Sequence, residues 1–170
     1  ISAIERRALW EVTLAAGARQ VLLAEKPFVS ALGCGLPVYE PTGCMVVDIG
    51  GGTTDVAVIS LGGIVINQSI RVGGVKMDEA IINFIKREFN IQIGDRTAEE
   101  VKLDLGAALP LRDVRRARIR GRDLVTNLPQ TTEINSTQIY EAIHEPCMAI
   151  LGAIKWVLER TPPELAADIM

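Results

Sequence analysis

Apolar residues recur at helical spacing near the start of the chain, at Ile4, Ala8, Leu9, Val12 and Ala16, and predict a helix from Ser2 to about Ala18 with Gly17 as its stop. The run QVLLAE then reads as a short strand. KPFVSALGCGL reads as a second helix opened by Pro27, whose missing N–H costs nothing in a first turn. Pro37 and Pro41 mark a loop. Three strand patterns follow, Cys44 to Ile49, Thr54 to Leu61 and Ile64 to Val72, separated by Gly-rich turns, which predicts a β-meander. From Met77 the period becomes helical again, with Ile81, Ile82, Ile85 and Phe89 as the apolar stripe. IGDRTAEEVKLDLGAAL predicts a further helix, in which Thr97 is the N-cap and Glu100 completes a capping box. Two short strands, Val114 to Arg120 and Thr131 to Ile134, flank a turn-rich stretch. Ser136 caps a last helix through Ile139, Ile143, Ile150 and Ile154 to Arg160, with a kink at Pro146 and a stop at Pro162-Pro163.

Within the meander, MVVDIGGGTTDVAVIS places three consecutive glycines between two strand patterns, where glycine weakens a strand. A Walker-type loop needs a lysine after its last glycine, and a dinucleotide fold needs its glycines to open a helix. Gly50, Gly51 and Gly52 instead lead into a strand, so both motifs are excluded. What remains is a hairpin tip without Cβ atoms, where backbone N–H groups can approach a phosphate chain. Asp48 adds a carboxylate suited to Mg²⁺ or its waters, and Thr53 and Thr54 add hydroxyl donors. An ordinary tight hairpin is the alternative for one glycine triplet. A second pair, Gly73-Gly74 in IRVGGVKMDEAI, sits between a strand and a helix and marks another close backbone approach.

The 170 residues are 48% hydrophobic and 23% charged, enough for a sizeable core. A net charge of −3 leaves no electrostatic footprint for nucleic acid, and the one basic cluster, RDVRRARIRGR, reads as a solvated strand face. Cys34, Cys44 and Cys147 lack metal-ligand spacing and His144 stands alone, which argues against disulfide scaffolds and His/Cys metal sites and fits a reduced, cytoplasmic setting. No apolar run approaches the ~18 residues of a membrane span, and no signal peptide precedes the first helix. The helical pattern is already under way at Ile1, as in a piece of something longer.

D-I-G-G-G-T-T-D, a meander, then V-G-G-x-x-x-D-E-A-I resembles the second phosphate motif and following helix of the actin and heat-shock-chaperone ATPase superfamily. Within it the chain is most similar to the MreB family of bacterial actins, through GLPVYEPTGCMVVDIGGGTT, DEAIINFIKREFN, IGDRTAEEVKLDLGAA and PPELAADI, across essentially its whole length. The resemblance implies an α/β fold: an actin-like ATPase lobe, a ribonuclease-H-like mixed sheet with flanking helices and a small inserted α+β subdomain. Residues 1–33 would be the tail of the first lobe, 34–78 with 141–170 the core of the second, and 79–140 the insertion. It implies ATP and Mg²⁺ as ligands, with Asp48 near the metal and Gly50, Gly51, Gly52 and Thr53 on the β and γ phosphates. Gly73 and Gly74 would lie beside the ribose, and Glu99, Glu100, Val101 and Lys102 would flank the adenosine. The i,i+3 spacing of Glu99 and Lys102 puts an acceptor and a donor on one helix face, as a surface ion pair would also require.

One position departs from the pattern. Relatives carry a water-orienting glutamate immediately before the proline of E-P-M-A-A-A, and here that residue is Lys26, with Glu25 beside it. An ammonium accepts no proton. Hydrolysis is therefore impaired, or Thr53 orients the water instead. The superfamily's first phosphate motif and its later adenosine motif do not occur in these residues, so the segment alone is expected to bind nucleotide weakly. The implied function is that of a cell-shape-determining actin whose ATP-dependent filaments guide cell-wall synthesis. Its partners would be further protomers, the cell-wall elongation machinery and, through parts outside this chain, the inner face of the cell membrane. The alternatives are a chaperone-type ATPase domain and a pseudo-ATPase scaffold that binds nucleotide without turnover, with a sugar kinase a weaker fourth.

Overall fold

The computed structural model describes residues 2–169. Its centre is an antiparallel meander of β1 (Cys44–Ile49), β2 (Thr54–Ser60) and β3 (Gly63–Ile70), in that order across the sheet. β2 is buried along nearly its whole length because helices cover both sides. Its alternate residues divide accordingly. Ala57 and Ile59 join Val46, Val38 and Ala31 under α2 (Lys26–Gly33), whereas Val56 and Val58 meet Ala153 and Val157 of α5 (Ser136–Arg160). The β2–β3 turn, Leu61-Gly62, has positive φ at both residues (50° and 76°), the geometry that matches strand twist in a two-residue hairpin.

The second sheet is β4 (Ile91–Gln92), β5 (Arg116–Asp123) and β6 (Pro129–Asn135), again wholly antiparallel. Every strand pairing among the described residues is antiparallel, where the resemblance implied a mixed sheet, because hairpin turns rather than crossover helices join most of these strands. α3 (Gly74–Phe89), α4 (Asp95–Leu105) and the first half of α5 pack around Ile81, Ile85, Ile91, Val101, Ile119 and Ile134. α5 thus serves both cores, with Ile139 and Ile143 in one and Ala153 and Val157 in the other, and it continues through Pro146. Arg116, Arg118 and Arg120 point outward around buried Ile119, the solvated face expected of the basic run.

Several local expectations change. QVLLAE forms no strand, since no neighbouring strand among the described residues receives its hydrogen bonds. Thr97 is not an N-cap. α4 begins two residues earlier at Asp95, is capped by Gly94 without a side-chain bond, and leaves Thr97 inside its first turn. The last helix is capped by Asn135, one residue before Ser136, in a reciprocal box with Gln138. Pro162-Pro163 ends α5 and also opens a short α6 (Pro163–Ile169). α1 (Ala3–Ala15) forms as expected, but none of its residues is buried and Ile4 and Val12 face outward.

Candidate nucleotide-binding site

Between β1 and β2 the chain turns through Gly50 to Thr53, and Gly50 N–H donates to the Thr53 carbonyl at 2.8 Å. The start of α3 clamps this tip. Gly74 N–H donates to Gly50 O and Val75 N–H to Gly51 O, both at 2.9 Å, and the buried Thr54 hydroxyl donates to Val72 O at 2.7 Å. A Cβ on Gly73 would overlap the carbonyl oxygens of Gly50 and Gly51, so backbone packing alone requires glycine there. The tip itself is different. A Cβ on Gly52 would meet nothing within 4 Å and one on Gly51 would only graze Val75 at 3.9 Å, and neither residue has positive φ. Nothing inside the described chain demands glycine at 51 or 52, which leaves close approach by something outside it.

Asp48 and Asp55 stand directly opposite each other in the β1–β2 register, one on either side of the tip. Lys26, in the first turn of α2, reaches both: its Nζ is 3.2 Å from Asp48 Oδ1 and 3.0 Å from Asp55 Oδ2. One helical turn on, the Ser30 hydroxyl donates to Asp48 Oδ2 at 2.5 Å, and the Thr53 hydroxyl approaches Asp55 Oδ2 at 3.4 Å. The Ser30 hydrogen bond, helped by the Lys26 ammonium, holds the Asp48 carboxyl below its ordinary range. The Asp55 hydrogen bond, joined by Asp48, raises the Lys26 ammonium above its own. A cavity of about 520 Å³ opens beside this cluster, lined by Arg6, Leu23, Lys26, Thr53, Asp55 and Gln68. Another, of about 470 Å³ between α3 and α5, contains none of the predicted site residues.

The residues predicted to flank adenosine separate on α4. Glu99 and Glu100 are exposed, the latter paired with Arg96 at 3.1 Å, and the Val101 side chain lies in the core. Lys102 does not pair with Glu99. Its Nζ lies 2.9 Å from Asp78 on α3 and donates to Gly74 O at 3.2 Å, because the α3–α4 packing brings a better-shielded carboxylate within reach. Ser30 and Asp55 went unnoticed in the sequence. The i,i+4 spacing of Lys26 and Ser30, and the symmetric placement of two aspartates about the glycines, were the available signals.

A glycine tip on a β-meander, clamped by a glycine pair that opens a helix, defines an actin-like lobe. The chain belongs to the MreB/Mbl family, whose model matches residues 1–170. It is 51% identical over 166 residues to the cell shape-determining protein MreB of Escherichia coli K12, covering 98% of this chain and 48% of that protein. Its fold is similar to the crystal structure of MreB 5 of Spiroplasma citri bound to AMPPNP, at TM-score 0.95 and 41% identity over all of this chain and 51% of that one. A MamK double helical filament shares the fold at TM-score 0.78 and 22% identity, covering 99% of this chain and 50% of that one. The chain spans about half the length of the curated relatives it matches.

Proposed function

We propose that this chain is the nucleotide-binding part of an MreB-type cell-shape actin, with ATP phosphates received at Gly50, Gly51, Gly52 and Thr53. The observation that carries this is the bare backbone of Gly51 and Gly52, which the chain's own packing does not explain. The AMPPNP-bound state of the Spiroplasma citri relative supports it. Gly73 and Gly74 hold the tip in place, and Lys102 ties α4 to that clamp, so the adenosine side would be reached from Glu99, Glu100 and the Lys102 stem. Asp48, the carboxylate that the resemblance assigns to Mg²⁺, has its two oxygens on Ser30 and Lys26.

In this reading residues 34–78 with 141–170 are the core of the second lobe, 79–140 its insertion and 1–33 the tail of the first. Filament protomers are the first partners. Head-to-tail stacking is a heterologous contact that does not close and so grows into polymers. The filaments would lie in the cytoplasm at the inner face of the cell membrane and guide the cell-wall elongation machinery. Among the described residues no helix is long and apolar enough to cross a membrane, so attachment would come from elsewhere. A scaffold that binds ATP without turnover is the second reading, favoured by the ammonium of Lys26 at the position of the family's water-orienting glutamate.

Calorimetry of the full-length protein with ATP tests the site. Gly51→Val sets branched carbons where phosphate oxygens must approach, with only Val75 nearby to accommodate them, and is expected to abolish binding. Unchanged affinity in that variant would remove the phosphate reading.

A further inference from the structure

Asp48 and Asp55 are direct cross-strand partners, and like charges so placed repel. Lys26 resolves this by bridging them, 3.2 Å from one and 3.0 Å from the other. The ammonium also abuts the glycine tip. A Cβ on Gly50 would stand 3.6 Å from Lys26 Nζ. Lys26 lines the same cavity as Thr53 and Asp55. One of its three N–H donors goes to Asp55, while Asp48 is held at ion-pair distance, so donor capacity remains for a further anion.

This is an unusual setting for a hard divalent cation. Mg²⁺ is ordinarily held by one or two carboxylates together with substrate phosphates. Here the nearest oxygens of both carboxylates already face an ammonium, and a second cation among them would be repelled. We propose that Lys26 is a tethered cation standing in for the divalent ion beside Asp48, so that the nucleotide polyphosphate is held with little dependence on Mg²⁺. The inference rests on the phosphate reading of the glycine tip.

The test measures AMPPNP affinity of the full-length protein by calorimetry, first in excess EDTA and then with added MgCl₂. The native protein is expected to change by less than about threefold between the two conditions. Lys26→Gln, at a half-exposed helix position, should lose about tenfold or more in EDTA and regain it with MgCl₂, the scale of one close charge. Lys26→Arg, which keeps the cation, should behave as the native protein does. A native protein as metal-dependent as Lys26→Gln overturns the proposal, and so does a Lys26→Gln variant that ignores EDTA. Absence of AMPPNP binding in every condition would instead remove the phosphate reading itself, and this inference with it.

Discussion

Lys102 Nζ lies 2.9 Å from both carboxylate oxygens of Asp78, joining α4 to α3 across 24 residues of sequence. Both side chains are largely shielded, at 18% and 15% exposure, and the same ammonium donates to the Gly74 carbonyl. The pair therefore fixes the height of the glycine clamp relative to α4. Removing one partner strands the other charge. Lys102→Met is expected to destabilise the protein by about 1–3 kcal/mol. Adding Asp78→Leu should recover part of that loss in a double-mutant cycle by urea denaturation. Strict additivity of the two changes would show that the pair is not coupled.

The two glycine groups should respond in opposite ways to one added methyl. Gly73→Ala drives a Cβ into the carbonyls of Gly50 and Gly51 and is expected to cost about 1–3 kcal/mol of stability, with nucleotide binding lost along with the clamp. Gly52→Ala meets no protein atom, so its stability should stay within about 0.5 kcal/mol of the native protein while ATP affinity falls. Urea midpoints and calorimetry on the two variants separate the roles. Equal destabilisation by both would mean that the tip is a structural turn.

Acid should weaken the Lys26–Asp48–Asp55 cluster from one side and alkali from the other. Asp48 titrates below its ordinary 3.8, chiefly through the Ser30 hydrogen bond, so its contribution is complete above that value and is lost as pH falls through the depressed folded pKa. Lys26 titrates above its ordinary 10.5, through Asp55 first, so its contribution is complete below that value and is lost as pH rises through the elevated one. Ser30→Ala removes the largest cause of the Asp48 shift. Its stability deficit against the native protein should be constant across neutral pH and shrink below about pH 4. A deficit that persists unchanged into acid would mean that Ser30 acts through packing and not through the carboxylate.

Much of this was legible in residue patterns, and the failures have physical causes. The meander, α3 and α5 announced themselves because each has a long, one-period apolar pattern that its burial later matches, as with Ile81 and Ile85. β4 did not, since two residues carry no period. QVLLAE has the composition of a strand, but a strand is made by its neighbour's hydrogen bonds. Thr97 and Glu100 have capping-box spacing, yet Gly94 and Asp95 start the helix earlier and the box falls inside it. At the candidate site, the glycine triplet and Asp48 stand out in the residue pattern itself. The Lys26 bridge and the Lys102–Asp78 pair could not, because each depends on tertiary packing between elements distant in sequence.

Lys26 sets the last prediction, which concerns turnover rather than binding. If a glutamate at this position orients and polarises the attacking water, its general-base help, worth about 10²–10⁴ in rate, is missing where an ammonium stands. The phosphate contacts proposed for Gly50, Gly51 and Gly52 would come from backbone and be untouched by the exchange. Lys26→Glu should therefore raise phosphate release per filament about tenfold or more in saturating MgCl₂. The same change puts a third carboxylate beside Asp48 and Asp55 in place of their counter-ion, so the gain should vanish when the divalent ion is chelated. Phosphate release assays on the full-length protein, with and without EDTA, read both effects. A native protein that already hydrolyses ATP as fast as Lys26→Glu would place the water-orienting role on Glu25 or Thr53 and leave Lys26 as a counter-ion alone.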